Sequence, residues 1–354
     1  MKKEKSSLPI AVIFGGEGGE REISSITASN IITGLTELDI PVLPIEIAAD
    51  GCWIANPRTD SELSVSAAKL RLGRESVGGF VHSGGFIRVR GAIPALHGEL
   101  GEDGVVQGAL RCAGISFIGS DTTAGAVLMD KVYTKLLAEH VGIPTVAWFA
   151  YIQDKFGSDS CRVAYDIPSA RKLAAELGYP VFIKPARSGS SIGAGRAYTP
   201  QELDRAIEAA LAVCQGRLII ERFIENPIEL ECAYLEGECE IYTAPGSVIS
   251  KEGFYSFDKK YLDTGGISLS VSADVNDDIK NRIKDYSKRL RSMSGLRHLA
   301  RFDYFLSNGE LFFNEVNSFP GMTEGSLYQR MLGVSGVPFQ KLMERLVSLL
   351  DGAQ

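Results

Sequence analysis

Two short stretches combine carboxylates with an arginine at strand spacing, Arg301-Phe302-Asp303 and Glu315-Val316-Asn317. Period-two alternation puts Arg301 and Asp303 on one face of a strand, and Glu315 and Asn317 on one face of the next. If those strands pair, Asp303, Glu315 and Asn317 bring three oxygen donors to one spot. Hard donors of this kind suit Mg²⁺ held jointly by carboxylates and substrate phosphates. A solvated acidic edge is the alternative, but Phe312, Phe313 and Val316 argue for a partly buried sheet, where unpaired carboxylates are costly.

A second cluster begins with the apolar run Val181-Phe182-Ile183-Lys184-Pro185 and continues through the Gly/Ser-rich loop Ala186–Gly195. Glycines let a backbone approach an anion closely and offer successive N–H groups to phosphate oxygens, while Lys184 adds a positive charge. An ordinary hairpin loop beside a surface lysine would read the same way, and the spacing is neither a Walker A nor a Rossmann fingerprint. The third cluster is Ala95-Leu96-His97-Gly98-Glu99-Leu100-Gly101-Glu102-Asp103-Gly104. A strand ending in histidine, followed by glycines and acids, is a frequent place for ligand contacts at a carboxyl edge. A histidine that merely caps its strand is equally compatible with these residues.

The elements that must position these clusters read as alternating strands and helices. Residues 9–14 are a buried parallel strand ending in Gly15-Gly16; a helix over Ser24–Leu35, capped by Ser24 or Ser25, and a strand over Pro41–Ile47 follow. Strand, helix, strand opens a doubly wound α/β layer. Residues 55–90 read only as loops and sheet edges. Beyond them the pattern predicts a strand at Ile93–Leu96, helices at Val105–Cys112, Asp130–His140, Pro168–Leu177 and Pro200–Val213, and strands at Thr145–Tyr151, Val181–Lys184 and Leu218–Phe223. The remainder carries strands at Glu231–Leu235, Ala300–Leu306 and Leu311–Glu315, with helices at Asp277–Ser292 and Phe339–Leu350.

Composition narrows the class. The 354 residues exceed one compact core and imply two or three domains. A formal net charge of −7, from 37 basic and 44 acidic residues, gives no electrostatic footprint for nucleic acid or an anionic membrane. The six cysteines are scattered without a CxxC pair and read as reduced thiols. No signal-peptide core follows the basic start and no apolar run approaches a membrane span, so the expected compartment is the cytoplasm.

Taken in order, eight segments resemble the D-alanine–D-alanine ligase family: Phe14–Ile23, Pro94–Gly104, Met129-Asp130-Lys131, Val181–Gly193, Phe254–Tyr261, Ala300–Asp303, Asn314–Asn317 and Pro320–Leu327. The resemblance implies a three-domain ATP-grasp fold of α/β and α+β domains. Residues 1–128 would be an N-terminal doubly wound substrate-binding domain. Residues 129–229 would be a central ATP-grasp subdomain, and 230–354 a catalytic domain with a lid over 250–270. It also implies ATP as co-substrate with Mg²⁺ or Mn²⁺, two ions in all, ligated by Asp303, Glu315 and Asn317. By the same resemblance Lys131 and Lys184 contact ATP phosphates beneath the loop that includes Ser188 and Ser191. Glu221, Phe223, Ile224, Glu229 and Phe254 surround the nucleotide, and Lys260 reaches the γ-phosphate. Glu20 would hold the ammonium of the first D-alanine with Ser190 and Tyr261, and His97 would line that subsite. Arg301 and Gly321 would form the oxyanion site, while Ser326 and Leu327 would receive the second D-alanine. A homodimer is expected by family likeness.

Some residues depart from the family pattern: Ser256 and Phe257 in the lid, Ser272 after it, Glu324-Gly325 before Ser326, and Ser25. Several of them, by the same resemblance, lie around the second-substrate pocket and the lid. By the same resemblance Tyr261 favours an amine over a hydroxy-acid nucleophile, since ester-forming relatives lack a tyrosine there, whereas Phe257 is compatible with D-serine. Three other functions compete: a dinucleotide-dependent oxidoreductase, for which the glycine spacing at 15–19 is wrong; a non-catalytic nucleotide-binding protein on the same fold; and a ligase with another amine partner.

Overall fold

The computed structural model describes residues 7–55, 71–74, 78–82, 85–154, 162–189, 192–214, 216–250 and 267–352. The N-terminal sheet contains β1 (Ile10–Gly15), β2 (Val42–Ile47), β3 (Trp53–Ala55) and β7 (Gly91–Pro94) in the order β3-β2-β1-β7. β1 runs parallel to both β2 and β7. Ile10 to Ile13 are fully buried, as expected for a parallel strand covered on both faces. Ile10 and Val12 face one apolar cluster while Ala11 and Ile13 face another.

Between β1 and β2 runs α1 (Arg21–Thr36), which begins three residues before the serine expected to cap it. Glu20 occupies the N-cap position without a side-chain cap bond. The Ser24 hydroxyl is used elsewhere. It is fully buried, accepts the Gly15 N–H at 2.9 Å and donates to the Ala95 carbonyl at 2.7 Å. Cap chemistry read from residue type missed the start because this serine ties two strand ends together instead.

The stretch whose sequence predicts only loops and sheet edges contains a three-stranded antiparallel sheet of β4 (Arg71–Arg74), β5 (Gly78–His82) and β6 (Gly85–Arg88). α2 (Val105–Cys112), α3 (Thr122–Met129) and α4 (Lys131–His140) then lead into the central sheet. Its strands are β8 (Trp148–Ile152), β9 (Val163–Ala164), β10 (Val181–Pro185), β11 (Gly195–Ala197) and β12 (Arg217–Arg222), in the order β11-β10-β12-β8-β9. α5 (Ile167–Leu177) and α6 (Pro200–Leu211) contribute to its apolar cluster, and each starts with an Asp166 or Thr199 cap and a proline in the first turn.

The C-terminal sheet is antiparallel, with β13 (Ile228–Leu235), β14 (Ile241–Tyr242), β15 (Gly246–Ser250), β16 (Ile267–Ser270), β17 (Leu299–Ser307) and β18 (Glu310–Asn317). α7 (Asp277–Ser294) packs against it, and α8 (Leu327–Val334) and α9 (Phe339–Gly352) close the chain. α9 returns to the first sheet. Gly34 of α1 lies so close to Met343 and Phe339 that an added Cβ would stand 2.8 Å from each. Arg90 also pairs with Asp351 at 2.6 Å. One apolar cluster therefore runs from Ile10 and Val12 through Ile31 and Leu35 to Leu342 and Leu346.

Candidate active site

β17 and β18 meet in a hairpin whose two-residue turn, Asn308-Gly309, has positive φ at both residues (51° and 80°). This is the turn that matches strand twist in a tight hairpin. From it the register runs Ser307 opposite Glu310 as far as Tyr304 opposite Phe313, and then slips by one residue. The slip is a bulge at Asn314. Beyond it Asp303 faces Glu315 and Arg301 faces Asn317. A bulge re-aims side chains, and Asn314 now accepts a hydrogen bond from Lys184 Nζ at 3.2 Å.

Asp303 is bound by its neighbours. Arg301 donates Nε and Nη2 to its two oxygens at 2.8 and 2.7 Å, and Asn317 Nδ2 donates at 3.1 Å. Arg301 Nε also lies 3.2 Å from Glu231 Oε2 on β13, which is itself in register with Asp303. Burial disfavours the guanidinium cation, but Asp303 and Glu231 outweigh it and raise Arg301 above the ordinary arginine range. Lys131 Nζ lies 3.3 Å from Glu315 Oε2. No group of three or more His, Cys, Asp or Glu able to hold a metal occurs among the described residues. Two facing carboxylates with an adjacent amide nevertheless fit a cation that keeps water and substrate oxygens in its shell.

The basic side of the site is built by α4 and β10. Asp130, fully buried at the N-cap of α4, accepts from Val132 N (3.0 Å), Arg187 Nε (3.1 Å) and Arg217 Nη1 (3.0 Å). It thereby clamps the start of the Gly/Ser-rich loop to the helix. Lys131 completes the clamp by donating to the Ser188 carbonyl at 2.7 Å. Lys184 pairs with Glu221 at 2.7 Å, and Lys135, one turn after Lys131, pairs with the other Glu221 oxygen. Burial alone would raise the Glu221 carboxyl, but the two lysines hold it down at about 2. Burial likewise opposes the Lys184 charge, which Glu221 and Glu315 more than restore. Phe223 packs 6.2 Å from the Phe182 ring with the Arg196 guanidinium 4.5 Å above it. Ile224 follows in the turn after β12, and Glu229 lies on β13.

The acidic side is built by the N-terminal sheet. The Glu20 carboxylate lies against the backbone of Gly98, where any side chain would collide with it, and an added Cβ at Gly189 would stand 3.1 Å from Glu20 Oε1. Glu20 thus sits between the histidine loop and the Gly/Ser-rich loop. His97 Nε2 lies 3.1 Å from Thr27 Oγ1, with its ring 6.5 Å from that of Phe319. Burial, reinforced by the nearby Arg301 charge and opposed by a bond at Phe319, pushes His97 down to about 4. Glu102 accepts from Gly98 N at 2.9 Å and from Phe319 N at 3.4 Å. It therefore bridges the first sheet to the segment after β18. Burial, with Glu20's charge adding to it, pushes Glu102 up to about 7.

The structure therefore gathers Glu20, His97, Lys131, Lys184, Ser188, Glu221, Arg301, Asp303, Glu315 and Asn317 into one linked set of contacts. Gly321, Ser326 and Leu327 lie in the segment leading into α8. Ser326 caps that helix by accepting from Gln329 N at 3.5 Å. Leu327 is buried in the same cluster as Met331 and Leu332, so its side chain is a wall and offers little open surface. Ser190, Ser191, Phe254, Lys260 and Tyr261, and residues 251–266 of the expected lid, lie outside the described residues. Three polar contributors were not singled out from sequence: Lys135, Glu231 and the bridging role of Glu102. Spacing could have flagged two of them. Lys135 is four residues after Lys131 on one helix, and Glu231 two after Glu229 on one strand.

Two family models match the chain. The model described as D-ala D-ala ligase N-terminus matches residues 9–120, and D-ala D-ala ligase C-terminus matches 137–348. A D-alanine--D-alanine ligase of Deinococcus radiodurans is 34% identical over 96% of this chain and 97% of its own length. The chain belongs to the D-alanine–D-alanine ligase family. A second family member, from Caldicellulosiruptor bescii, is 32% identical over 97% of this chain and 95% of its own length. Among solved structures, D-alanyl-alanine synthetase A from Vibrio cholerae superposes with a TM-score of 0.84 at 28% identity, covering 98% of this chain and 99% of its own. The VanG D-Ala:D-Ser ligase from Enterococcus faecalis superposes equally well, at 0.84 and 30% identity over 97% and 99%. The three-domain ATP-grasp fold expected from the resemblance is thus borne out.

Proposed function

We propose that this protein joins two D-alanines to D-alanyl-D-alanine with ATP, through an acylphosphate, for peptidoglycan precursor synthesis in the cytoplasm. The observation that carries this reading is the convergence of Glu20, Arg301, Lys131, Lys184 and the Asp303–Glu315 pair in a chain of this family. We read the chain as an N-terminal substrate-binding domain (1–128), a central ATP-grasp subdomain (129–229) and a C-terminal catalytic domain (230–354), assembled as a homodimer.

In the proposed reaction a carboxylate oxygen of the first D-alanine attacks the γ-phosphorus of ATP, and ADP leaves. Glu20 holds the ammonium of that D-alanine and, with His97 beside it, fixes which carboxylate oxygen faces the phosphate. Lys131, Lys184 and the amides of the Gly/Ser-rich loop balance charge on the transferring phosphoryl group. Asp303, Glu315 and Asn317 would hold Mg²⁺ or Mn²⁺, two ions in all, which supplies further charge neutralisation at the phosphates. The amine nitrogen of the second D-alanine, held at Ser326 and the N-terminus of α8, attacks the acyl carbon. Arg301 and the Gly321 amide face the oxyanion, and the C–O bond to phosphate breaks. Glu221, Phe223, Ile224 and Glu229 hold the adenosine.

The match to a D-Ala:D-Ser ligase structure supports D-serine as a second reading for the second subsite. An apolar wall at Leu327 rejects an added hydroxyl only weakly. ADP release with D-alanine alone, then with D-serine, D-lactate and L-alanine as competitors, products identified by mass, tests both. D-alanyl-D-alanine as the main product supports the proposal. A requirement for a second amine or hydroxy acid overturns the substrate, and no ADP release with any D-amino acid overturns the activity.

A further inference from the structure

We infer that Lys135 is a positioning residue for nucleotide binding, the fixed counter-ion of Glu221 that leaves the Lys184 charge available to the ATP phosphates. The inference rests on the nucleotide-binding reading of the site and adds a residue behind it. Lys135 is 1% exposed and projects from α4 toward β12, where its ammonium meets one Glu221 oxygen. Lys184, from β10, meets the other at 2.7 Å. Glu221 is itself 3% exposed, so its charge is screened by these two cations and not by water.

The charges decide the argument. With Lys135 present the buried trio carries two positive charges and one negative, and a net positive charge faces the phosphates. Without Lys135, Lys184 is fully committed to Glu221, and the pair offers a polyanion no net attraction. Lys131 offsets the loss only in part, because its ammonium is shared with Glu315 and the Ser188 carbonyl. Replacing a buried ion pair by apolar groups is often neutral, whereas removing one partner is not. Lys135→Met and Lys135→Met/Glu221→Gln should therefore behave differently.

The test is equilibrium binding of ATP with Mg²⁺, and of adenosine, to the full-length chain and to the Lys135→Met, Glu221→Gln and double variants. Thermal unfolding is recorded for each. Lys135→Met should weaken ATP at least tenfold and adenosine less than threefold, and raise the KM for ATP but not for D-alanine. In Glu221→Gln the buried Lys135 loses the counter-ion that keeps it charged, so Lys184 alone faces the phosphates there as in the double variant, and the two should bind ATP within threefold of each other. Should Lys135→Met not fold, the comparison of Glu221→Gln with the double variant still decides. Equal ATP affinity supports the charge-balance role, and a tenfold further loss overturns it. Unchanged ATP binding by a folded Lys135→Met, or equal weakening of ATP and adenosine, also overturns it. Failure of the unaltered protein to bind ATP would remove the nucleotide-binding reading itself, a result distinct from either.

Discussion

Replacing Ser24 by alanine should loosen the first sheet where it meets the site. The Ser24 hydroxyl is the link between the Gly15 N–H and the Ala95 carbonyl, at 2.9 and 2.7 Å, and both ends are buried. Gly15 has φ of 96° and its Cα lies against the Ile47 carbonyl, so the turn cannot rearrange to find another partner. Leaving a buried polar group unsatisfied costs about 1–3 kcal/mol. Two orphaned groups give about 2–6 kcal/mol, a large part of the roughly 5–15 kcal/mol that holds a domain folded. With a urea slope of about 2 kcal/mol per molar, the midpoint of this domain should fall by about 1–3 M. The chain has two tryptophans, Trp53 on β3 and Trp148 on β8. A Trp148→Phe background therefore makes fluorescence report on the first sheet alone. In the same variant the KM for D-alanine should rise more than that for ATP, because the tied strand ends lead to Glu20 and His97. A midpoint shift below about 0.3 M, or a rise confined to ATP, would refute this account of the hydroxyl.

Asp130→Asn should lower stability by about 1.5–3 kcal/mol, the range for hydrogen bonds to charged groups, and raise the KM for ATP several-fold as the Arg187 and Arg217 clamp slackens; Trp148 fluorescence in urea and steady-state kinetics check both. Asp303→Asn should raise the Mg²⁺ concentration needed for half-maximal activity at least tenfold while the fold, followed by circular dichroism, is kept. The pH dependence of stability should show opposed contributions. His97 and His298 are both pushed down to about 4 by burial, so each contributes stability above its unfolded value near 6.5 that is lost as pH falls toward 4. Glu102, pushed up to about 7, contributes stability below its unfolded value near 4.5 that is lost as pH rises through 7. Glu102→Gln removes the offsetting gain and should lose about 3 kcal/mol more than the unaltered protein between pH 7 and 4.5; parallel urea midpoints across that range check it.

The alternating elements were legible because buried parallel strands are continuous apolar runs and most helices carry proline or acidic starts. Pro168, Pro200 and Asp277 each stand in the first turn of their helix. Helix α1 was misplaced because Ser24 has the right type for a cap and a different partner. The stretch 71–88 reads poorly because its strands are glycine-rich, with Gly73, Gly78, Gly79 and Gly85 leaving little side-chain pattern. The convergence of Asp303 with Glu315 was conditional on pairing. Its register depends on the Asn308-Gly309 turn, which is a local signal, and on the bulge at Asn314, which is not. Buried charge partners such as Lys135 and Glu231 stayed hidden because a lone Lys or Glu on a regular element reads as solvated until its neighbours are known.

The central claim is that a D-alanine carboxylate is phosphorylated and then captured by an amine. Supplying D-alanine labelled with ¹⁸O in its carboxylate, with ATP and Mg²⁺, tests this in one reaction. The account predicts that each D-alanyl-D-alanine formed releases one inorganic phosphate carrying a single ¹⁸O from the substrate. Dipeptide formed with unlabelled phosphate, or labelled D-alanine recovered intact while ATP is hydrolysed, would contradict it.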